Sequence, residues 1–218
     1  SDVCSSDLWG IPSHTWVEGP VLHYLLTGDE FTRESIYETR AWLLEDRWFD
    51  HCDFNNCRES GWHIIHLCML AATFDDPRCL NAAAVIVRRA REKEDPAGGW
   101  VHMLTESHCG CGYPRCRGEA GFMVGVLLSA LKRYHALTGD AEAVRMLVGG
   151  ARWLIRNTYD AKSGYFRYTS CEKRTRGGEF QKTQWVLEGL ADAYALSRDE
   201  EIGGYVRDGL KTIGRFPD

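Results

Sequence analysis

The densest chemistry in the chain lies in ESHCGCGYPRCRGEAGF (Glu106–Phe122), where Cys109, Cys111 and Cys116 stand beside His108 among glycines and a proline. Thiolates and an imidazole so grouped suit zinc, which takes sulfur and nitrogen ligands in a tetrahedron. The spacing C-x-C-x4-C is not that of a standard zinc finger, and it leaves a fourth position for Cys57, His51 or His102. Cys57 is the expected fourth member, giving a metal set of Cys57, Cys109, Cys111 and Cys116. Two alternatives stay open on the residues alone. In an oxidising compartment the loop could be tied by disulfides to Cys52, Cys57 or Cys171, and the cysteines could also be unlinked.

Three other stretches carry groups that could meet a ligand. In HCDFNNCRESGWHIIH (His51–His66), Arg58 suits a carboxylate and Trp62 a sugar face. His63 and His66 are three apart and could share a helix face, with His66 lying deeper, as a core histidine would. In SHTWVEG (Ser13–Gly19), Ser13 could cap a helix and leave His14 and Trp16 exposed. In YFRYTSCEKRTRGGEFQKTQW (Tyr165–Trp185), Arg167, Lys173, Arg174, Arg176 and Lys182 outnumber Glu172 and Glu179. Beside Tyr168 and Trp185, that basic patch suits an anionic ligand such as a uronic-acid sugar; the competing reading is a solvated charged loop.

The elements that hold these stretches announce themselves by repetition. LHYLLTGDE (Leu22–Glu30) returns as LKRYHALTGDAE (Leu131–Glu142), with looser copies CMLAATFDDPR (Cys68–Arg78) and ADAYALSRDEE (Ala191–Glu201). Each copy closes one helix and opens another. Gly28 and Gly139 suit the left-handed position after a helix, and Asp29, Asp76, Asp140 and Asp199 can cap the next. The first helix of each pair is apolar nearly all round, as in Trp62–Ala72 and Gly121–Leu131, which predicts burial on every side. The second helix, as in Asn81–Glu94 and Ala141–Asn157, keeps one charged face. GYFRYTS (Gly164–Ser170) is the best strand signal. Buried helices alternating with amphipathic ones predict an all-α fold, an α/α toroid formed as an incomplete ring of about four helical hairpins. The connections near Phe49–Gly61, Pro96–Gly121 and Ala161–Lys182 are long, so all the chemistry above should emerge on one rim.

The bulk numbers bound the function classes. A net charge of −5 gives no electrostatic case for nucleic acid or an anionic membrane. No apolar run approaches the roughly 18 residues of a membrane span. Ser1–Leu8 (SDVCSSDL) has no structural period and back-translates in frame to the end of a sequencing adapter. It is read as a translation artefact, leaving residues 9–218 as one toroid domain cut at its front and open to the same reading at its end. The compartment stays open between bacterial cytoplasm and the exterior.

The phrases SHTWVEG…YLLTGD, CRESGWHII and GEAGFMVGVLLSALKRYHALTGD resemble the C-terminal α/α toroid domain of the rhamnogalacturonan exolyase/YetA-like family. That resemblance, over most of Ser13–Ser197, implies a carbohydrate-active protein with β-rich domains upstream as partners. The cysteine loops are similar instead to those of the β-L-arabinofuranosidases, toroid enzymes with a thiolate–zinc site, although their adjacent cysteine pair is missing here. The expected function is therefore β-elimination on a uronic-acid polysaccharide. Arg117, Arg174 or Arg176 would neutralise the carboxylate, His108 or His51 would remove the proton, and Glu119 or Tyr168 would protonate the leaving oxygen. His14, Trp16, Arg58, Trp62, His63 and Trp185 would bind the sugar. Two alternatives are a zinc–thiolate glycosidase and a toroid that binds glycan without cleaving it.

Overall fold

The computed structural model describes residues 11–50, 52, 54–174 and 179–213. The artefact reading of Ser1–Leu8 therefore falls outside the described residues. Four helical hairpins follow one another: α1 (Glu18–Thr27) with α2 (Glu30–Leu43), α4 (Cys57–Phe74) with α5 (Pro77–Lys93), α6 (Gly121–Thr138) with α7 (Ala141–Thr158), and α8 (Glu179–Ser197) with α9 (Glu200–Ile213). The short α3 (Arg47–Asp50) lies between the first two. This is an all-α, incomplete α/α toroid. None of the described helices is long and apolar enough to cross a membrane.

Every tight turn is built the same way. Gly28, Asp75, Gly139 and Arg198 all take left-handed φ values between 50° and 71°, which stops the preceding helix. The next residue is the repeated aspartate. Asp29 accepts from the Thr32 amide at 2.8 Å, Asp76 from Arg78 at 3.0 Å, Asp140 from Glu142 at 2.9 Å and Asp199 from Glu201 at 3.0 Å. Each bond satisfies an amide that the new helix cannot pair itself.

Helices α4, α6 and α8 form the inner layer, with α6 packed between the other two. Their close approach depends on glycine. A Cβ at Gly61 would press on the Leu127 backbone, one at Gly125 would overlap the Trp185 carbonyl, and one at Gly189 would crowd the Gly125 carbonyl. The amphipathic α5, α7 and α9 cover them. The sequence-derived ranges thus match, with α4 starting earlier than expected, so that Arg58, Glu59 and Trp62 are helical. Ser13 is not a helix cap. It sits in a 3-10 turn (Pro12–His14) and bonds Glu59, while α1 begins at Glu18 with Pro20 in its first turn, where a missing N–H costs nothing. On α1 only Val21 is buried; Leu22, Leu25 and Leu26 are exposed.

The long connections between hairpins are partly structured. In the second, β1 (His102–Met103) pairs antiparallel with β2 (Arg117–Gly118). In the third, β3 (Tyr159–Asp160) pairs with β4 (Tyr165–Phe166), so the predicted strand is a hairpin arm. The two connections are stitched together by an Ala120–Thr169 bridge, the Gly121 amide on the Tyr168 carbonyl at 3.0 Å, and the Ser170 amide on the Glu119 carbonyl at 3.0 Å. They therefore share one rim, at the start of α6.

Candidate functional site

The β1–β2 ladder folds the second connection back on itself. It carries Cys116 to Leu104, whose amide bonds the Cys116 carbonyl at 3.1 Å. The third connection brings Cys171 against the same point. Cys109, Cys111, Cys116 and Cys171 then place their sulfurs within 4.8 Å of one another. The Cys109–Cys116 Sγ distance is 3.3 Å, Cys111–Cys171 is 3.6 Å and Cys109–Cys171 is 3.8 Å. All four are free thiols, and this cluster could hold a metal ion. The expected fourth ligand is corrected here. Cys57 is wholly buried at the start of α4, with its thiol directed at the Phe54 carbonyl, because its position on the helix faces the core while Arg58 and Glu59 beside it stay partly exposed. Cys171 takes its place.

Beside the cluster lies a titratable group with an unusual setting. Glu119 is wholly buried just before α6, where Oε1 accepts from the Ala120 amide at 2.6 Å and Oε2 lies 3.4 Å from His102 Nδ1. Burial outweighs the helix-end hydrogen bonds and pushes its carboxyl up to about 8. It is protonated at neutral pH, but the closed setting keeps its oxygens from a ligand. His108 is half-buried, edge-on to Tyr168 with ring centres 5.6 Å apart. Its pKa is held below the ordinary value by burial and then by the charges of His102, Arg174 and Arg58, which places those three groups within electrostatic reach. Arg174 reaches across from the third connection, donating through Nε to the Ser107 carbonyl at 2.7 Å and covering the Tyr168 ring.

An aromatic column completes the rim. Trp62 contacts Trp16 at 5.1 Å and Trp185 at 5.5 Å between ring centres, joining the segment before α1 to α4 and α8. Trp62 is only 7% exposed, whereas Trp16 is 55% exposed, so the open sugar-sized face belongs to Trp16. Trp16 adopts a φ of 47°, a conformation that a bulky side chain rarely takes outside a constrained site. Nearby, Glu59 accepts from Ser13 Oγ at 2.6 Å and from Arg58 Nη2 at 3.3 Å. It lines a cavity of about 430 Å³ with Asn56, Ser60, His63, Trp48 and Pro12.

The remaining expected site residues divide by position. His63 is buried, donates through Nε2 to the Leu43 carbonyl at 2.8 Å and stacks on Phe49. Its ring is committed to the core, as is that of His66, which stacks on Trp62. His14 is exposed and shares a hydrogen bond with Ser13. Arg117 is exposed on β2 and donates to the Val101 carbonyl at 3.3 Å. Arg167 and Arg174 line a cleft of about 530 Å³ with Asp160, Lys162 and Glu172, so the basic patch is partly balanced by acids. His51 and Arg176 lie outside the described residues. Glu59 was not singled out from sequence as a site residue, and Cys171 was named only as a disulfide partner of the loop; both stand on stretches expected at the rim, and that shared placement was the available signal.

No family model matches the chain, and no curated protein is significantly similar to it. Solved structures do resemble it. One is an inactive variant of the α-1,6-mannanase GH76A of Salegentibacter sp. HEL1_6, with two adjacent aspartates replaced by alanine, in complex with α-1,6-mannotetraose. It has a TM-score of 0.67 at 9% identity, covering 96% of this chain and 62% of that one. The corresponding asparagine variant with α-1,6-mannotriose gives 0.67 at 10% identity, covering 95% and 61%. The GH76 α-mannanase BT2949 of Bacteroides thetaiotaomicron gives 0.54 at 15% identity, covering 71% and 42%. The chain thus spans about three-fifths or less of the length of these structures. At such identities the likeness speaks for the toroid fold. It lies with proteins named as glycoside hydrolases, not with the exolyase family that the hairpin phrases resemble.

Proposed function

We propose that the chain is part of a carbohydrate-active enzyme that binds a polysaccharide across the long-loop rim and cleaves it by hydrolysis. The observation that supports this most directly is the Glu59 carboxylate lining a cavity of about 430 Å³ together with the Trp48 ring. An aromatic plane next to a hydrogen-bonded carboxylate is what a pyranose ring and its glycosidic oxygen require. Hydrolysis is favoured over the β-elimination expected from sequence because the structural neighbours are named mannanases. The uronate carboxylate that Arg117, Arg174 or Arg176 was to neutralise is then not needed.

The chain's one adjacent aspartate pair, Asp75–Asp76, sits at the opposite, tight-turn end. Asp76 caps α5 there and is held by Arg40 at 3.1 Å and Arg78 at 2.8 Å. It is therefore structural. Glu59 is the rim carboxylate we assign to proton transfer, with Glu119 and His102 supporting the start of α6 behind it. We further read the four-cysteine cluster as a zinc site, since a set of thiolates at tetrahedral spacing selects that ion.

The test is product analysis with the full-length protein on α-mannans and on uronate polymers. Release of reducing ends without an ultraviolet-absorbing product supports hydrolysis, and an unsaturated uronate product restores the lyase reading. Glu59→Gln should abolish turnover while glycan is still bound, and Trp16→Ala should weaken binding about tenfold, or about 1.4 kcal/mol. Glycan binding without turnover by any variant or by the wild type would leave a binding toroid.

A further inference from the structure

The four-cysteine cluster is split three to one between two connections. Cys109, Cys111 and Cys116 come from the connection before α6, and Cys171 comes from the one before α8. Four sulfurs on a zinc ion at about 2.3 Å would stand about 3.8 Å apart, against about 2.0 Å in a disulfide. The observed 3.3, 3.6 and 3.8 Å separations lie near the first figure. We infer that the cluster is a closed zinc tetrathiolate that clasps the two connections together, so that the ion organises the rim and takes no part in bond cleavage. This rests on the zinc reading above.

The closure follows from the ligand count. With Cys171 as the fourth thiolate, a tetrahedral ion has no position left for water or sugar, unlike a catalytic site with three protein ligands. The surroundings are those of a structural clasp. Cys109 and Cys171 are buried with Leu104 in a small cluster separate from the main core. The Gly110 amide points at Cys171 Sγ at 3.5 Å, a donor that steadies a thiolate's charge. Close approach at this point is possible only for glycine, because a Cβ at Gly110 would overlap the Lys173 carbonyl. On the far side, a Cβ at Gly118 would overlap the Ser170 hydroxyl.

What the clasp holds in place is the group formed by His108, Tyr168 and Arg174 on the same rim. His108 precedes the first ligand by one residue, while Tyr168 and Arg174 lie three residues either side of Cys171. Their mutual contacts cross from one connection to the other. A tie made only by the Ala120–Thr169 bridge with its two backbone hydrogen bonds, by the Glu119 amide on Ser170 Oγ and by Arg174 on the Ser107 carbonyl would let these loops separate; a metal bound by both would not.

The full-length protein, purified under reducing conditions without added metal, should contain one zinc per chain, with four sulfur neighbours by X-ray absorption. Cys171→Ala should lower zinc affinity about 100-fold or more and raise amide exchange in both connections, with helical circular dichroism kept. Gly110→Ala retains every ligand, and overpacking of about 1–3 kcal/mol should still weaken zinc roughly 5- to 150-fold. Cys57→Ala should keep the full zinc content. One zinc with three sulfurs and an oxygen or nitrogen would overturn the closed clasp while leaving the zinc reading intact. A metal-free protein would overturn both, whether it keeps four thiols or, when purified without reductant, is lighter by four hydrogens with two disulfides. Unchanged exchange in Cys171→Ala would overturn the clasp's hold on the rim.

Discussion

Glu119→Gln isolates the energetic consequence of burying a carboxyl at the start of α6. The wild-type group titrates near 4.5 when unfolded and near 8 when folded, because burial penalises the carboxylate. The folded state therefore binds the proton more tightly between those two values. The stabilisation that results is fully present below the lower value and is lost as pH rises through the upper one. Integrating the linkage relation from pH 5 to pH 8 gives a loss of about 3.5 kcal/mol for this single group. Glutamine keeps the carbonyl acceptor for the Ala120 amide at 2.6 Å and cannot ionise. Urea unfolding of both proteins at half-unit steps across that range should show the variant gaining on the wild type by about 3.5 kcal/mol. Other groups titrate equally in both and cancel. Parallel pH profiles would refute the reasoning, and would mean that Glu119 reaches solvent or is paired with a protonated His102 strongly enough to stay charged.

His66 should give the opposite limb: burial pushes its pKa down to about 4, so stability falls as pH drops from 6.5 toward 4. His66→Phe, which keeps a ring against Trp62, should remove about 2 kcal/mol of the loss between pH 7 and pH 5 in the same urea assay. Asp76→Ala removes a buried cap and the acceptor for Arg40 and Arg78, and should cost about 2 kcal/mol, against about 0.5–1 kcal/mol for the exposed cap in Asp140→Ala. Gly125→Ala forces a Cβ into the Trp185 carbonyl and should cost about 2 kcal/mol or more. Gly204→Ala on α9 meets nothing and should stabilise by about 0.5–1 kcal/mol, with thermal midpoints moving in opposite directions for the two glycine variants.

Local chemistry is what the sequence by itself determined. The aspartates at 29, 76, 140 and 199 cap their helices because capping needs only a short acceptor two or three residues before a free amide. The all-round apolar character of Trp62–Ala72 and Gly121–Leu131 likewise settled which helices are inner, since burial on every side has no other source. Tertiary structure decided which groups meet. The expectation that all the long connections share one rim pointed to Cys57 as the fourth ligand, yet the register of α4 turns it inward, and Cys171 arrives because two connections are stitched at Ala120 and Thr169. Trp62 and Trp16 are equivalent as residues, and only packing makes one a support and the other a surface. Glu119 looks from its neighbours like a loop carboxylate. Its protonated, enclosed state depends on the low dielectric created by segments distant in the chain, and no local pattern encodes that.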